Sequence, residues 1–439
     1  MSASVTSSVV YSSKSMYRLA VEAVVRTFSN LPRCTDLRES IGRLPRRSRL
    51  DVLGEMCDYP SLVDVQLEML ADPLLVSDFI RDFAADLTPL VQCLQWLQSV
   101  KKSLPLQLFR RYKTLLEEQS RTGALPRLDY RCGLRIGTFL TQTGWCVEAI
   151  GILGLTQQQT RLGSMEELAV LRQLMRAQVL AGKLINALKT SKRALLLTVN
   201  FIDHPSPVDE QPGLDLRAGV FHSMALYHFE DANFVRSMEF TLHALGVLCE
   251  RSPPRLIIDV FRQTARTALG RRHYRKAAFM LQQAMARVAH RYGRTSAPYA
   301  ELLEDLAILL LAHHQVTDSV NTFADAQHIY TQLYGARNLL LSLGQGNLAY
   351  GLCLQAYITG RRERALQHVA KAIVNYKRTL PPDHRMLVQV YRLRATIDLF
   401  HFRRRHEMES VDVALFRQEA AKPPLSVQDA RRCYYELNN

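Results

Sequence analysis

Sulfur chemistry is thin in this chain. Its eight cysteines, at positions 34, 57, 93, 132, 146, 249, 353 and 433, stand singly, with no C-x-x-C pair and no set of short even spacings. That pattern excludes a zinc ribbon, a thioredoxin-like couple and a disulfide framework, and it fits reduced thiols in cytoplasm or nucleus. No run of about 18 apolar residues occurs, so no membrane-spanning helix is expected. Residues 1–15 lack a basic stretch ahead of an apolar core and do not read as a secretion signal. Acidic residues are also in short supply, 41 Asp and Glu against 56 Lys and Arg, for a formal charge of +15. Such a balance favours acidic partners. The basic residues are nevertheless scattered over many segments without interleaved aromatics, so no specific nucleic-acid platform is expected, and most of the arginines read as a solubilising coat.

Catalytic signatures are missing as well. There is no H-E-x-x-H, no phosphate-binding loop and no G-x-S-x-G. Gly344-Gln345-Gly346 is a fragment of a dinucleotide fingerprint with no strand before it, and a tight turn accounts for it better. His313 and His314 are adjacent, which on a helix sends them to different faces and argues against a shared metal. The expectation is a non-catalytic protein without cofactor or metal.

What the chain does contain is a repeat. Tyr274, Ala277, Leu281 and Ala284 follow spacings of three, four and three, and Val316, Ser319, Phe323 and Ala326 repeat them 42 residues later (316 − 274). Tyr292-Gly293 returns as Tyr334-Gly335 at the same offset. Each four-residue set lies on one helix face, with small residues that let a partner helix approach. A helix pair cannot bury such a face alone, so neighbours must stack. The fold expected is all-α, a tetratricopeptide-type solenoid of the longer variety that resembles kinesin light chain.

In chain order, residues 1–14 read as disordered and 15–125 as an N-terminal helical region. Its first helix, from Ser15 to about Phe28, carries Met16, Ala20 and Val24 on one stripe and ends at Leu31-Pro32. The repeat array occupies 126–400. Its units begin with Cys146, Ala149, Leu153 and Thr156 after Gly144, and with Leu184, Ala187, Ser191 and Ala194 after Gly182. A linker is expected from Asp203 to Gly213, with Pro205, Pro207 and Pro212. Phe234, Ser237, Thr241 and Ala244 follow, then the two units above, then Ala365, Val369 and Ala372. That last unit stands 46 residues after its predecessor (365 − 319), which implies about one extra helical turn ahead of it. A further helix runs from Met386 to a basic segment at Arg403. Residues 401–439 form a tail with an incomplete repeat and a helix start near Ser426.

A solenoid offers a groove lined by the first helix of each pair. Arg262, Glu304 and Asn347 are polar positions on successive first helices, and Asp259, Glu304 and Asp305 supply carboxylates able to receive a basic group. These five residues are the candidate peptide-binding set.

The run from Leu256 to Leu393 also carries a resemblance. Asp259-Val260, Arg262-Gln263, Tyr274-Arg275-Lys276-Ala277, Tyr292-Gly293, Leu348-Ala349-Tyr350 and Leu380-Pro381-Pro382-Asp383-His384 resemble the amyloid protein-binding protein 2 family. Towards the N-terminus, Ala20 to Val25, Leu44-Pro45 and Asp51-Val52 match in order and spacing. The resemblance implies two roles. One is a substrate receptor of a cullin-2 RING ubiquitin ligase that captures arginine-x-x-glycine degrons. The other is an adaptor between membrane cargo, such as amyloid precursor-like cytoplasmic tails, and microtubules or kinesin. It implies an elongin B/C box at Met16, Ala20 and Val24 and a cullin box at Leu44, Pro45 and Leu50. Met16 replaces the usual leucine, and Ser48 stands where the cullin box has an aliphatic residue. The family continues for several repeats beyond Asn439. Self-association into a homodimer stays open.

Overall fold

The structure, a computed structural model, describes residues 15–32, 35–83, 87–122, 128–203, 210–335, 339–359, 363–379, 385–397 and 413–437. Residues 1–14, Pro205, Pro207, Pro381-Pro382 and the basic run at Arg403 lie outside that set. Every regular element among the described residues is helical. The chain divides into two compact units between Leu104 and Pro105.

The first unit contains α1 (Met16–Asn30), α2 (Thr35–Arg43), α3 (Arg46–Glu55), α4 (Val63–Leu70), α5 (Pro73–Asp82) and α6 (Thr88–Ser99). Ser15 caps α1 by accepting from the Arg18 amide, and Leu31 closes it. Val21, Val25 and Phe28 bury one side of α1, while Leu50 and Leu53 of α3 and Leu90, Cys93, Leu94 and Leu97 of α6 bury theirs. Gln66 of α4 is fully buried and donates to the Leu53 carbonyl at 2.7 Å.

The second unit opens with α7 (Leu104–Thr122) and continues as stacked pairs. First helices are α8 (Tyr130–Gln142), α10 (Met165–Leu180), α12 (Glu210–Glu230), α14 (Pro254–Gly270), α16 (Ala297–Ala312), α18 (Leu339–Thr359) and α20 (Arg385–Ile397). The second helices are α9 (Cys146–Gln157), α11 (Leu184–Asp203), α13 (Phe234–Val247), α15 (Tyr274–Tyr292), α17 (Val316–Tyr334) and α19 (Glu363–Thr379). The fold is therefore the all-α tetratricopeptide-type array that the spacing predicts. The residue opening each set from Cys146 to Val316 is the first residue of its second helix, and the small residues Ala149, Ala187, Ser237, Ala277 and Ser319 are all buried.

Two hydroxyls show why that position is small. Ser237 donates to the Ala225 carbonyl at 2.8 Å and Ser319 to the Ala307 carbonyl at 2.7 Å, each tying a second helix to the backbone of its own first helix. The turn between the partners is equally regular. The amides of Trp145, Lys183, Asn233, His273 and Gln315 reach back to the carbonyls of Leu140, Gln178, His228, Ala268 and Leu310 at 2.7 to 2.9 Å. This is the 6→1 bond of a Schellman motif, and it requires a left-handed residue just before the amide. Gly144 and Gly182 supply it in the first two pairs, but Ala232, Arg272 and His314 occupy it in the next three, at φ of 59, 61 and 59°.

Three sequence expectations change, and a fourth holds. The linker expected from Asp203 to Gly213 is shorter, because α11 reaches Asp203 and α12 starts at Glu210. Pro212 lies in the first turn of α12, where its missing amide hydrogen has no partner to lose. Gly344-Gln345-Gly346 is no turn but the interior of α18, and its glycines make room for side chains from neighbouring helices. His313 caps the C-terminus of α16 and His314 sits in the turn, so neither belongs to a helix face. The extra length ahead of the last unit is real, α18 having 21 residues against 16 in α16.

After α20 the described chain resumes with α21 (Val413–Glu419) and α22 (Val427–Glu436). The helix start expected near Ser426 is there, with Ser426 as its cap. The helix packs back on α15: Tyr434 is buried in the core shared by α13 to α16, with Lys276 4.5 Å from its ring centre.

Candidate peptide-binding groove

The first helices of the second unit turn polar residues to one cavity of ≈ 340 Å³. Its wall includes Arg176 of α10, His222 of α12, Asp259, Arg262 and Arg266 of α14, Glu301, Glu304 and Asp305 of α16, and Asn347 of α18. All five candidates, Asp259, Arg262, Glu304, Asp305 and Asn347, thus line the same cavity, although they come from three helices.

Most of the charge in the wall is organised as an alternating ladder. Arg176 meets Asp259 at 2.6 Å, Asp259 meets Arg255 at 2.9 Å, and Arg255 meets Glu301 at 3.0 Å. Glu301 then meets Arg262 at 2.6 Å, Arg262 meets Asp305 at 2.5 Å, and Arg266 bridges Asp305 at 3.5 Å and Glu230 at 3.3 Å. Each interior member has two opposite neighbours. That arrangement repays the loss of water better than an isolated pair would. Burial pushes the Asp259 carboxyl up, but Arg176 and Arg255 pull it further down, leaving it below the usual carboxylate range. Burial likewise lowers the His222 imidazole to about 3, so it is neutral.

Glu304 stands apart. Asn347 donates to it at 3.3 Å and Tyr330 at 3.5 Å, and among the described residues it makes no ion pair. Burial raises it to about 8 against the weaker pull of Arg262. Beside a neutralised ladder, it is a protonated carboxyl at neutral pH, able to donate a hydrogen bond or to ionise against an incoming cation.

Arg176, Arg255 and Glu301 were not singled out by sequence reasoning. One signal was available: Glu301 follows Asp259 by 42 residues (301 − 259), so the repeat places a carboxylate at the same station in successive first helices.

In the first unit, Met16 is 82 % and Val24 42 % exposed, and Ala20 is exposed with them. The stripe therefore faces outward while Val21, Val25 and Phe28 of the same helix face in. Tyr17 donates to Asp51 at 2.8 Å, tying α1 to α3, and Arg47 of α3 itself donates to the same carboxylate at 3.3 Å. Of the second box, Pro45 is exposed, Leu44 half-buried and Leu50 fully buried. Leu50 is accordingly a core residue of the first unit.

No family model matches the chain. Curated proteins do. The chain is similar to amyloid protein-binding protein 2. The rat and mouse proteins are each 22 % identical to it over 400 residues, covering 88 % of this chain. The chain spans 64 % of the length of the rat protein. Three solved structures align with it at low identity. One is BtubC from P. vanneervenii, 14 % identical with a TM-score of 0.38, covering 58 % of this chain and 92 % of that one. A kinesin light chain from Podospora anserina is 16 % identical with a TM-score of 0.31, over 46 % of this chain and 95 % of that one. A signal-transduction ATPase with a tetratricopeptide repeat sensor from Pyrococcus horikoshii is 13 % identical with a TM-score of 0.40, over 97 % and 54 %. Among the described residues no helix is long and apolar enough to cross a membrane, and no group of His, Cys, Asp and Glu could hold a metal ion.

Proposed function

We propose that this chain is a non-catalytic adaptor with two working surfaces. The second unit receives a peptide along its first helices, and α1 presents Met16, Ala20 and Val24 to elongin B/C, with the Leu44-Pro45 segment directed to cullin-2. The observation that carries the ligase half is the outward apolar stripe of α1. A 15-residue helix with three buried residues on one face has no folding reason to line its other side with Met16 at 82 % exposure. The groove half rests on convergent polar residues from successive repeats, and the names of the rat and mouse relatives, as binders of an amyloid protein, support a protein ligand. Mixing the full chain with purified elongin B/C tests the reading. A complex on gel filtration that Ala20→Arg abolishes supports it, and wild-type chain eluting alone removes it.

The charge of +15 favours a second reading, an adaptor that engages acidic tubulin tails or kinesin. Sedimentation with microtubules that fades steeply with salt is expected on that reading. No sedimentation even at low salt contradicts it.

A further inference from the structure

Two thiols of the first unit converge on one buried amide. Cys57 lies in a short helical turn directly after α3 (Met56–Asp58), and Cys93 lies in α6. Their sulfurs stand 3.3 and 3.5 Å from the side-chain nitrogen of Gln66, which also donates to the Leu53 carbonyl at 2.7 Å. An amide nitrogen carries two hydrogens, so with one on Leu53 the other is shared by both sulfurs. The Cys93 thiol donates either to the Leu53 carbonyl, at 3.4 Å, or to Cys57 itself. Gln66 and Cys93 are fully buried, whereas Cys57 is half-buried beside the exposed Asp58. The pair therefore has an outer and an inner member. The two positions stand 36 apart in sequence (93 − 57), so no spacing rule marks them as partners.

We propose that Cys57 and Cys93 form a reversible oxidation site for hydrogen peroxide, with Cys57 attacked first and Cys93 closing a disulfide that joins the turn after α3 to α6. The Cys57 thiolate attacks one peroxide oxygen: an S–O bond forms, the O–O bond breaks, and the departing hydroxide takes a proton to become water. The Cys93 sulfur then attacks the Cys57 sulfur. An S–S bond forms, the S–O bond breaks, and the Cys93 proton leaves with that hydroxide as a second water. In sum two thiols give up two electrons and two protons to one peroxide, and a dithiol reverses the change by exchange. The environment assigns the order. The hydrogen bond from Cys93 holds the Cys57 thiol below its ordinary range against the effect of burial, which favours the thiolate at the outer position. Pairing with Cys57, and then burial, hold Cys93 well above its own range. The first of those restraints ends once Cys57 carries a neutral sulfenic acid. Cys146 and Cys353 differ, because burial pushes each thiol up to about 12. The new bond closes a loop that contains α4 and α5, so the oxidised chain holds those helices more firmly.

The full chain is treated with hydrogen peroxide at neutral pH, its remaining thiols are blocked with N-ethylmaleimide, and its peptides are read by mass spectrometry without reduction. The expected product is a peptide pair linked through Cys57 and Cys93, lost on adding dithiothreitol, with Cys146 and Cys353 still blocked as free thiols. Cys57 linked to a different cysteine, Cys57 carried on to sulfinic acid without a disulfide, or no change at either position overturns the proposal. This reading needs no variant, so it stands even if a substitution disturbs folding. Cys93→Ser keeps nearly the same volume and is expected to stop at the sulfenic acid of Cys57, trapped by dimedone. Cys57→Ser is expected to leave Cys93 unoxidised, and a Cys93 that reacts as fast without Cys57 as with it overturns the order. The same treatment in urea is expected to lose the pairing, and an equal yield of the linked peptides there shows that the fold does not select them. Hydrogen exchange in α4 and α5 is expected to slow after peroxide, and unchanged or faster exchange overturns the tightening.

Discussion

Asn347 holds Glu304 at 3.3 Å from the next first helix along, and it does so without any cation of its own to offer. Burial, which Arg262 and the Asn347 bond offset only in part, keeps the proton on this carboxyl well above the ordinary range, to about 8 against a usual 4.5. The folded state therefore binds a proton that the unfolded state has released. Across the window from about 4.5 to about 8, wild-type stability must fall with rising pH on account of this group, and the fall ends above it. Glu304→Gln removes the titration. Its advantage over wild type is expected to grow through that window and reach on the order of a few kcal/mol at the upper end. Urea unfolding of both proteins from pH 5 to pH 8 checks this, and parallel curves would contradict it.

Arg262 is the joint of the ionic ladder, bound to Glu301 at 2.6 Å and Asp305 at 2.5 Å, and Arg255 and Arg266 hold those carboxylates from the far sides. Removing it leaves two buried acids under-compensated. Arg262→Ala is expected to cost about 3–5 kcal/mol in unfolding free energy. Arg262→Lys keeps the charge but loses the fork that reaches both acids, and is expected to fall between the two. A lysine variant as stable as wild type would show that charge alone suffices.

Among the described residues four inter-helix turns use non-glycine residues in the left-handed region, and Arg272 and His314 are two of them. Glycine at either site relieves strain of about 1–2 kcal/mol but adds freedom to the unfolded chain. His314→Gly and Arg272→Gly are each expected to stabilise by roughly 0.5–1 kcal/mol, measured by thermal unfolding. Gly182→Ala, at φ 72°, is expected to destabilise. A destabilised His314→Gly would mean that the histidine's contacts outweigh its backbone cost.

The same turns show how far the fold was legible. Gly144 and Gly182 mark the first two pairs in the sequence, but Ala232, Arg272 and His314 carry no such mark, because the Schellman bond and the packing on either side hold the backbone there regardless. The second helices were legible to the residue, since Tyr274 and Val316 open both the pattern and the helices. The site was legible in part. Arg262, Glu304 and Asn347 are polar interruptions at first-helix stations, which pattern reveals. Arg176 acts on Asp259 from 83 residues away in sequence, and no spacing inside one repeat could announce it. A Gly-x-Gly step usually punctuates, whereas at Gly346 the helix runs on and the missing side chain makes the room that Tyr376 needs.

Cys57 and Cys93 share the Gln66 amide, at 3.3 and 3.5 Å from their sulfurs. The hydrogen bond from Cys93 lowers the Cys57 thiol below its ordinary range although burial opposes it, and the same pairing with burial pushes Cys93 well up. Iodoacetamide at neutral pH is expected to label Cys57 several times faster than Cys93, as read by peptide mass spectrometry. Equal rates would place the shared proton differently.

The central claim is that α1 is a docking helix whose exposed apolar stripe meets elongin B/C. Hydrogen–deuterium exchange on the full chain, with and without purified elongin B/C, tests it most directly. The account predicts slowed exchange across Met16–Asn30 on adding the partner, with the groove helices of the second unit unchanged. Exchange that stays the same throughout α1, or slows only in the second unit, would contradict it.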